Sequence, residues 1–324
     1  MKRIYHLCFS LENELLCRDE ADYYRLFNCY AYALMKTGSV SYADAVMSSH
    51  FHAVVFTDDI LKVSKVFKIS YGLYFNNKYK RKGRFGRKSS FILEIEGNMH
   101  LLAAISYVLR NPLHHGVAAS PFGYNHSSVS LIFAQELGFR PLCKKSYDVE
   151  QLSKKYELFS DFNKSNLCQR NWRLPEEVFV TRSGVILRES VTEVKHVEHL
   201  YGSVRSYLYY MNRLSGEEWK KEQEMDCEGN HSLKPIGLTE IEAFSDSESI
   251  AAMMSNERGR FRPSISDIEL CAKVDALICS LFGNGHTVYT LSPSEKRLIA
   301  AQIRSTLYVP QKQLSRCLAL KSSD

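Results

Sequence analysis

The stretch Tyr42-Ala-Asp-Ala-Val-Met-Ser-Ser-His-Phe-His-Ala-Val-Val-Phe56 decides how the chain is read. Side chains along a strand alternate between its faces, so His50 and His52 point to one side and Phe51 to the other. The apolar run Val54, Val55 and Phe56 fits a buried strand over about 50 to 57. Ser48-Ser49 reads as the turn that joins it to a strand over about 40 to 47. Two imidazoles aimed at one point make a divalent metal the natural tenant. In a chain with eleven histidines such a pair is a frequent pattern, so its meaning depends on a partner elsewhere.

That partner lies in Leu101-Leu-Ala-Ala-Ile-Ser-Tyr-Val-Leu-Arg-Asn-Pro112, rich in helix formers and closed by a proline expected to stop the helix. Tyr107 and Asn111 stand at i and i+4 and share a face. The pairing suggests a phenolic nucleophile beside a third metal ligand, with the metal polarising a phosphodiester while the phenol oxygen attacks phosphorus in line.

Taken together, Ala45-Val-Met-Ser-Ser-His-Phe-His-Ala-Val-Val-Phe56, a basic segment, and His100-Leu-Leu-Ala-Ala-Ile-Ser-Tyr-Val-Leu-Arg-Asn-Pro-Leu-His-His-Gly-Val117 resemble the HUH single-tyrosine transposases, the REP-associated tyrosine transposases in particular. The matching positions are Met47, His50, His52, Tyr107, Asn111 and Pro112, and the likeness covers roughly residues 1 to 135. It implies that His50, His52 and Asn111 hold Mg²⁺ or Mn²⁺ and that Tyr107 attacks single-stranded or hairpin-ended DNA. A 5′-phosphotyrosine bond and a free 3′-hydroxyl would result, so strands could be rejoined without ATP or any nucleotide cofactor. Departures from the family pattern lie elsewhere: Ser48-Ser49 replace a Pro-Asn turn, His126 stands where a tryptophan is usual, and the basic segment lacks its customary Trp or Gln.

The net charge of +6 is unevenly spread. Residues 1 to 135 hold 16 Lys+Arg against 10 Asp+Glu, and the remainder holds 26 of each. Within the first part, Lys78, Lys80, Arg81, Lys82, Arg84, Arg87 and Lys88 fall in eleven residues, interleaved with Tyr79 and Phe85. Such a run can neutralise phosphates and offer rings on which unpaired bases stack. Nine cysteines without a Cys-x-x-Cys pair, no apolar run that could span a bilayer and no signal-peptide pattern fit a cytoplasmic protein with reduced thiols. Cys271 and Cys279 read as buried helix positions.

The first segment is expected to form an α+β, ferredoxin-like antiparallel sheet with helices on one face: strand 3 to 10, helix 20 to 37, the histidine hairpin, a helix from the Asp58-Asp59 cap to about Tyr71, strand 90 to 96, then the tyrosine helix capped by Asn98. The resemblance implies the same HUH fold. A middle module over 136 to 257 follows. It includes a helix from Val149 to Phe162, a hairpin around Ser183-Gly184, helical structure from Val191 to Arg213 whose tyrosines pack rather than stack on bases, His196 and His199 on a partly exposed helix face, and a linker within Glu217 to Glu257. Residues 258 to 324 read as three capped helices. The short last one, with Lys312, Gln313, Ser315 and Arg316, resembles the recognition helix of a helix-turn-helix.

These readings point to a metal-dependent DNA strand transferase. A catalytically silent or host-recruited hairpin-DNA-binding protein, or a structural interaction protein, stands as the alternative, and the resemblance leaves both monomer and homodimer open.

Overall fold

A computed structural model describes residues 1–11, 13–86, 90–118, 120–139, 157–158, 172, 175, 178–181, 183–212 and 265–320. Strand β1 (Arg3–Ser10) leads to helix α1 (Glu20–Thr37), β2 (Val40–Val46), β3 (His50–Thr57), helix α2 (Ile60–Tyr79), β4 (Ser90–Ile95) and helix α3 (Asn98–His114). The four strands form one antiparallel sheet in the order β2-β3-β1-β4. The chain is thus an α+β domain with a small antiparallel sheet, followed by a helical C-terminal region.

Local signals account for the elements. Asp19 and Asp22 form a capping box that starts α1, and Gly38 ends it in the left-handed conformation, where a side chain is disfavoured. Asp59 caps α2 through the Lys62 amide. That helix runs eight residues beyond the expected Tyr71, because Phe67, Tyr71, Phe75 and Tyr79 recur every fourth position and all are buried in the core. Conversely, α3 does not stop at Pro112. Proline forfeits one backbone bond, but buried Leu113 anchors the next turn, which closes through His115 N–H to the Asn111 carbonyl. Its cap is Gly97 rather than Asn98.

Helices cover both faces of the sheet, not one. Leu7, Phe9, Phe51, Ala53 and Val55 pack with α1 and α2, whereas Val54, Ala43 and Ala45 pack with α3 on the opposite side. The reason is visible in the sheet itself, whose strands carry apolar side chains at both parities and so cannot leave either face wet.

Residues 178–212 return to these same two cores. Val178, Val180, Ile186 and Val191 join the first, while Val197, Tyr201, Tyr207, Tyr210 and Met211 join the second. Asn28 of α1 donates to the Gly184 carbonyl (2.7 Å) and accepts from the Ile186 amide (2.9 Å), pinning the hairpin around Ser183-Gly184. Glu157 and Leu158, expected in a helix, form strand β5 (Glu157–Leu158), which pairs with β6 (Phe179–Val180); the rest of the expected 149–162 helix and the 217–257 linker lie outside the described residues. The helical stretch after Val191 is two helices, α4 (Val194–Tyr201) and α5 (Val204–Asn212), parted at Gly202, which is left-handed. Tyrosines 201, 207 and 210 pack as expected, and His196 and His199 are exposed.

Helices α6 (Asp267–Phe282), α7 (Pro293–Thr306) and α8 (Gln311–Cys317) build a third core, with capping boxes Ser266/Glu269 and Ser292/Glu295. Cys271 is buried there, but Cys279 is exposed on α6. The bundle is tied to the sheet domain by Arg18, whose buried guanidinium donates to the Cys317 carbonyl (2.5 Å) and to Asp275 (2.7 Å), and by Ser48, which donates to Asp267 (2.5 Å). Among the described residues no helix is long and apolar enough to cross a membrane.

Arg18→Leu keeps bulk but removes the donors to the bundle. We expect a loss of about 1–3 kcal/mol in urea unfolding, the cost of stranding a buried carbonyl. An unchanged midpoint would mean that the bundle is held without Arg18.

Candidate active site

Because His50 and His52 share the face opposite Phe51, the hairpin delivers both imidazoles to the side of the sheet covered by α3. Their ring centroids lie 5.0 Å apart. The third predicted ligand meets them from the helix: His50 Nε2 is 2.7 Å from Asn111 Oδ1. One turn back on α3, the Tyr107 ring stands edge-on to His52, with centroids 5.2 Å apart and planes at 86°. All four predicted catalytic and ligand residues therefore meet in one place, although His50 and Asn111 are 61 residues apart in sequence.

The site is dry. His52, Tyr107 and Asn111 are fully buried and His50 nearly so. Burial disfavours the charged imidazolium, pushing His50 down to about 4, with the nearby Arg316 guanidinium adding to the effect against the opposing Asn111 hydrogen bond. Burial likewise holds His52 well below its usual range, helped by His50, His6 and His115. Both rings are therefore neutral at physiological pH, the form that ligates metals. Ser49 Oγ lies 3.0 Å from His50 Nδ1. A hydroxyl both donates and accepts, so it can satisfy Nδ1 in either tautomer; Nε2, facing the Asn111 oxygen, is the N–H donor of that contact, and a cation at this nitrogen would take the place of its proton.

Two neutral imidazoles and an amide oxygen suit Mn²⁺ better than the oxygen-seeking Mg²⁺, and the Asn111 side-chain nitrogen is buried without a hydrogen-bond partner among the described residues. Among those residues no three His, Cys, Asp or Glu side chains gather as a metal site; the candidate set has two such residues and completes itself with an amide.

Two residues escaped the sequence reading. His6 on β1 lies 3.0 Å from His52 and edge-on to Tyr107, and His115 at the end of α3 stands 4.6 Å from His50 between ring centroids. The alternation of β1, which sends Leu7 and Phe9 to one face and His6 and Cys8 to the other, is the signal that could have found His6. Tyr124, the other tyrosine considered as nucleophile, donates to the Val46 carbonyl at 2.6 Å. His126 stacks on Tyr23 at 4.3 Å.

The basic run divides sharply. Lys78 is bound by Asp19 and Asp22 at 2.6 Å, and Arg81 makes a two-pronged pair with Glu14 at 2.7 and 3.0 Å. Lys80 donates to the Gly285 carbonyl, Lys82 and Arg84 are exposed, and Arg87 and Lys88 lie outside the described residues. Tyr79 and Phe85, expected to offer stacking surfaces, are instead core residues. Phe85 packs so closely on α2 that a Cβ at Gly72 would meet its Cβ at 2.6 Å, which explains the glycine inside that helix. On α8, Lys312 is exposed, the Gln313 amide donates to the Ile265 carbonyl and Asp267, and Arg316 is close enough to His50 to influence its proton affinity.

Arg81→Ala should therefore lower stability by about 1.5 kcal/mol, the scale of a lost charged hydrogen bond, while Arg84→Ala stays within about 0.5 kcal/mol of the parent. Chemical denaturation of both variants checks this, and equal effects would contradict the division.

No family model matches the chain, and no curated protein matches it in sequence. In three dimensions it is weakly similar to a REP-associated tyrosine transposase solved bound to a REP hairpin, at 14% identity and a TM-score of 0.36, over 45% of this chain and 88% of that one.

Proposed function

We infer that the protein is a metal-dependent DNA strand transferase that cleaves single-stranded or hairpin-bearing DNA through a 5′-phosphotyrosine intermediate. The observation that carries this reading is the meeting of two distant segments: a tyrosine edge-on to one histidine of a buried pair, and an asparagine one helical turn later in contact with the other. His50, His52 and Asn111 would hold the ion, which when bound would withdraw charge from the phosphate and help stabilise the crowded transition state. Tyr107 supplies the oxygen. Its bond to phosphorus forms as the bond to the 3′-oxygen breaks; the phenolic proton is given up, and the departing oxygen takes a proton to become a hydroxyl. Reversal by another 3′-hydroxyl joins strands without an external energy source. Exposed Lys82 and Arg84 supply phosphate attraction beside the sheet domain.

One observation favours a second reading. Tyr107 is fully buried, as a core tyrosine would be in a hairpin-reading module that binds DNA without cutting it. Incubation with a hairpin-bearing single strand and Mn²⁺ separates the two. Strand transfer requires a protein-DNA adduct that survives denaturing electrophoresis, is absent from Tyr107→Phe despite retained DNA binding, and is lost in His50→Ala and His52→Ala but only weakened in Asn111→Ala, where water can replace one neutral ligand. Retarded migration without any wild-type adduct would support the binding module, and an adduct persisting in Tyr107→Phe would move the nucleophile elsewhere.

A further inference from the structure

The proposed metal site rests on His50, His52 and Asn111, yet a third imidazole is built into the same dry face. His6 sits on β1 one pleat from Cys8, the residue directly opposite His52. It is fully buried, its Nε2 lies 3.0 Å from His52 Nδ1, and the two ring planes differ by only 6°. Centroids 5.2 Å apart with so short a nitrogen contact describe an edge-to-edge hydrogen bond, not a face-to-face stack. Its other nitrogen, Nδ1, has no hydrogen-bond partner among the described residues.

We propose that His6 is a positioning residue for the cation site, accepting a hydrogen bond from His52 Nδ1–H and thereby fixing His52 in the tautomer whose Nε2 carries a lone pair. The inference deepens the reading of the preceding subsection and depends on it. Its logic is proton counting. Two ring nitrogens 3.0 Å apart in nearly coplanar rings share a single proton, held by one and accepted by the other. If His52 holds it on Nδ1, His52 Nε2 carries a lone pair, with Cys8 Sγ 3.8 Å away. If His6 holds it, the His52 proton sits on Nε2, near Cys8 Sγ at 3.8 Å, and the lone pair needed by a cation is absent. A cation bound at His52 Nε2 therefore selects the arrangement in which His6 accepts. Metal-bound histidines elsewhere commonly give their second ring proton to a carboxylate or carbonyl, and loss of that partner weakens the site 10- to 100-fold, roughly. Here a second imidazole takes the part.

The test is Mn²⁺ affinity, read from the free-ion paramagnetic resonance signal, in wild type, His50→Ala, His6→Phe and His6→Gln. Phenylalanine keeps the ring and removes the acceptor, whereas the glutamine carbonyl restores one. We expect His6→Phe to bind about 10- to 100-fold more weakly and His6→Gln to recover most of that loss. Wild-type affinity in His6→Phe, with binding abolished in His50→Ala, overturns the role of His6 and leaves the cation site standing; wild type that binds no Mn²⁺, or His50→Ala that binds normally, overturns the site itself. A measurement on unaltered protein guards against a folding defect: nitrogen-15 spectra with diamagnetic Mg²⁺ should show His52 protonated at Nδ1, and protonation at Nε2 would overturn the assignment.

Discussion

The exclusion of water from one face of β1 and β3 is the constraint on which the site depends. Three imidazoles and a phenol lie between the sheet and α3, and a buried imidazolium without a counter-charge would cost far more than a neutral ring. His6, His50 and His52 are held neutral by that burial, and neutrality turns them into hydrogen-bond partners for one another, for Ser49 and for Asn111. The same dryness that makes unpaired polar atoms costly makes an introduced cation effective, since charge in a low-dielectric setting is felt strongly. Stability and proposed chemistry thus draw on the same burial.

Around that face the rest of the chain acts as support. Segment 178–212 completes both cores, so the domain does not end with α3 and its following turns. The C-terminal bundle is fastened at Arg18 and at Ser48, the latter inside the histidine turn. That attachment brings Arg316 within electrostatic reach of His50 and commits the Gln313 amide to donating to Ile265 and Asp267 at the start of α6. The helix that resembles a recognition helix thus carries one of its charges near the site.

Much of this was legible in the sequence, for identifiable reasons. The His-x-His alternation and the i, i+4 pair Tyr107 and Asn111 are local patterns with fixed geometric meaning, and the strands and the first helix follow from capping and turn residues that act within a few positions. What sequence left hidden is non-local. The second covered face of the sheet depends on where α3 returns. The run from Lys78 to Arg84 looks uniformly basic, yet Asp19, Asp22 and Glu14, more than fifty residues earlier, claim two of its charges. His6 reads as one polar residue in the largely apolar run Ile4 to Phe9 until β3 is laid beside it. Pro112 misled because a proline near a helix end is a weak stop when the next residue has a core position to fill.

The central claim is that His50, His52 and Asn111 form one cation site facing Tyr107. Anomalous diffraction from crystals soaked in Mn²⁺ tests it most directly. The account predicts a single strong peak about 2.0–2.3 Å from an imidazole nitrogen of each histidine and from Asn111 Oδ1, distances usual for such ligands. A peak seated on other residues, or none at this face while Mn²⁺ binds elsewhere on the protein, would contradict it.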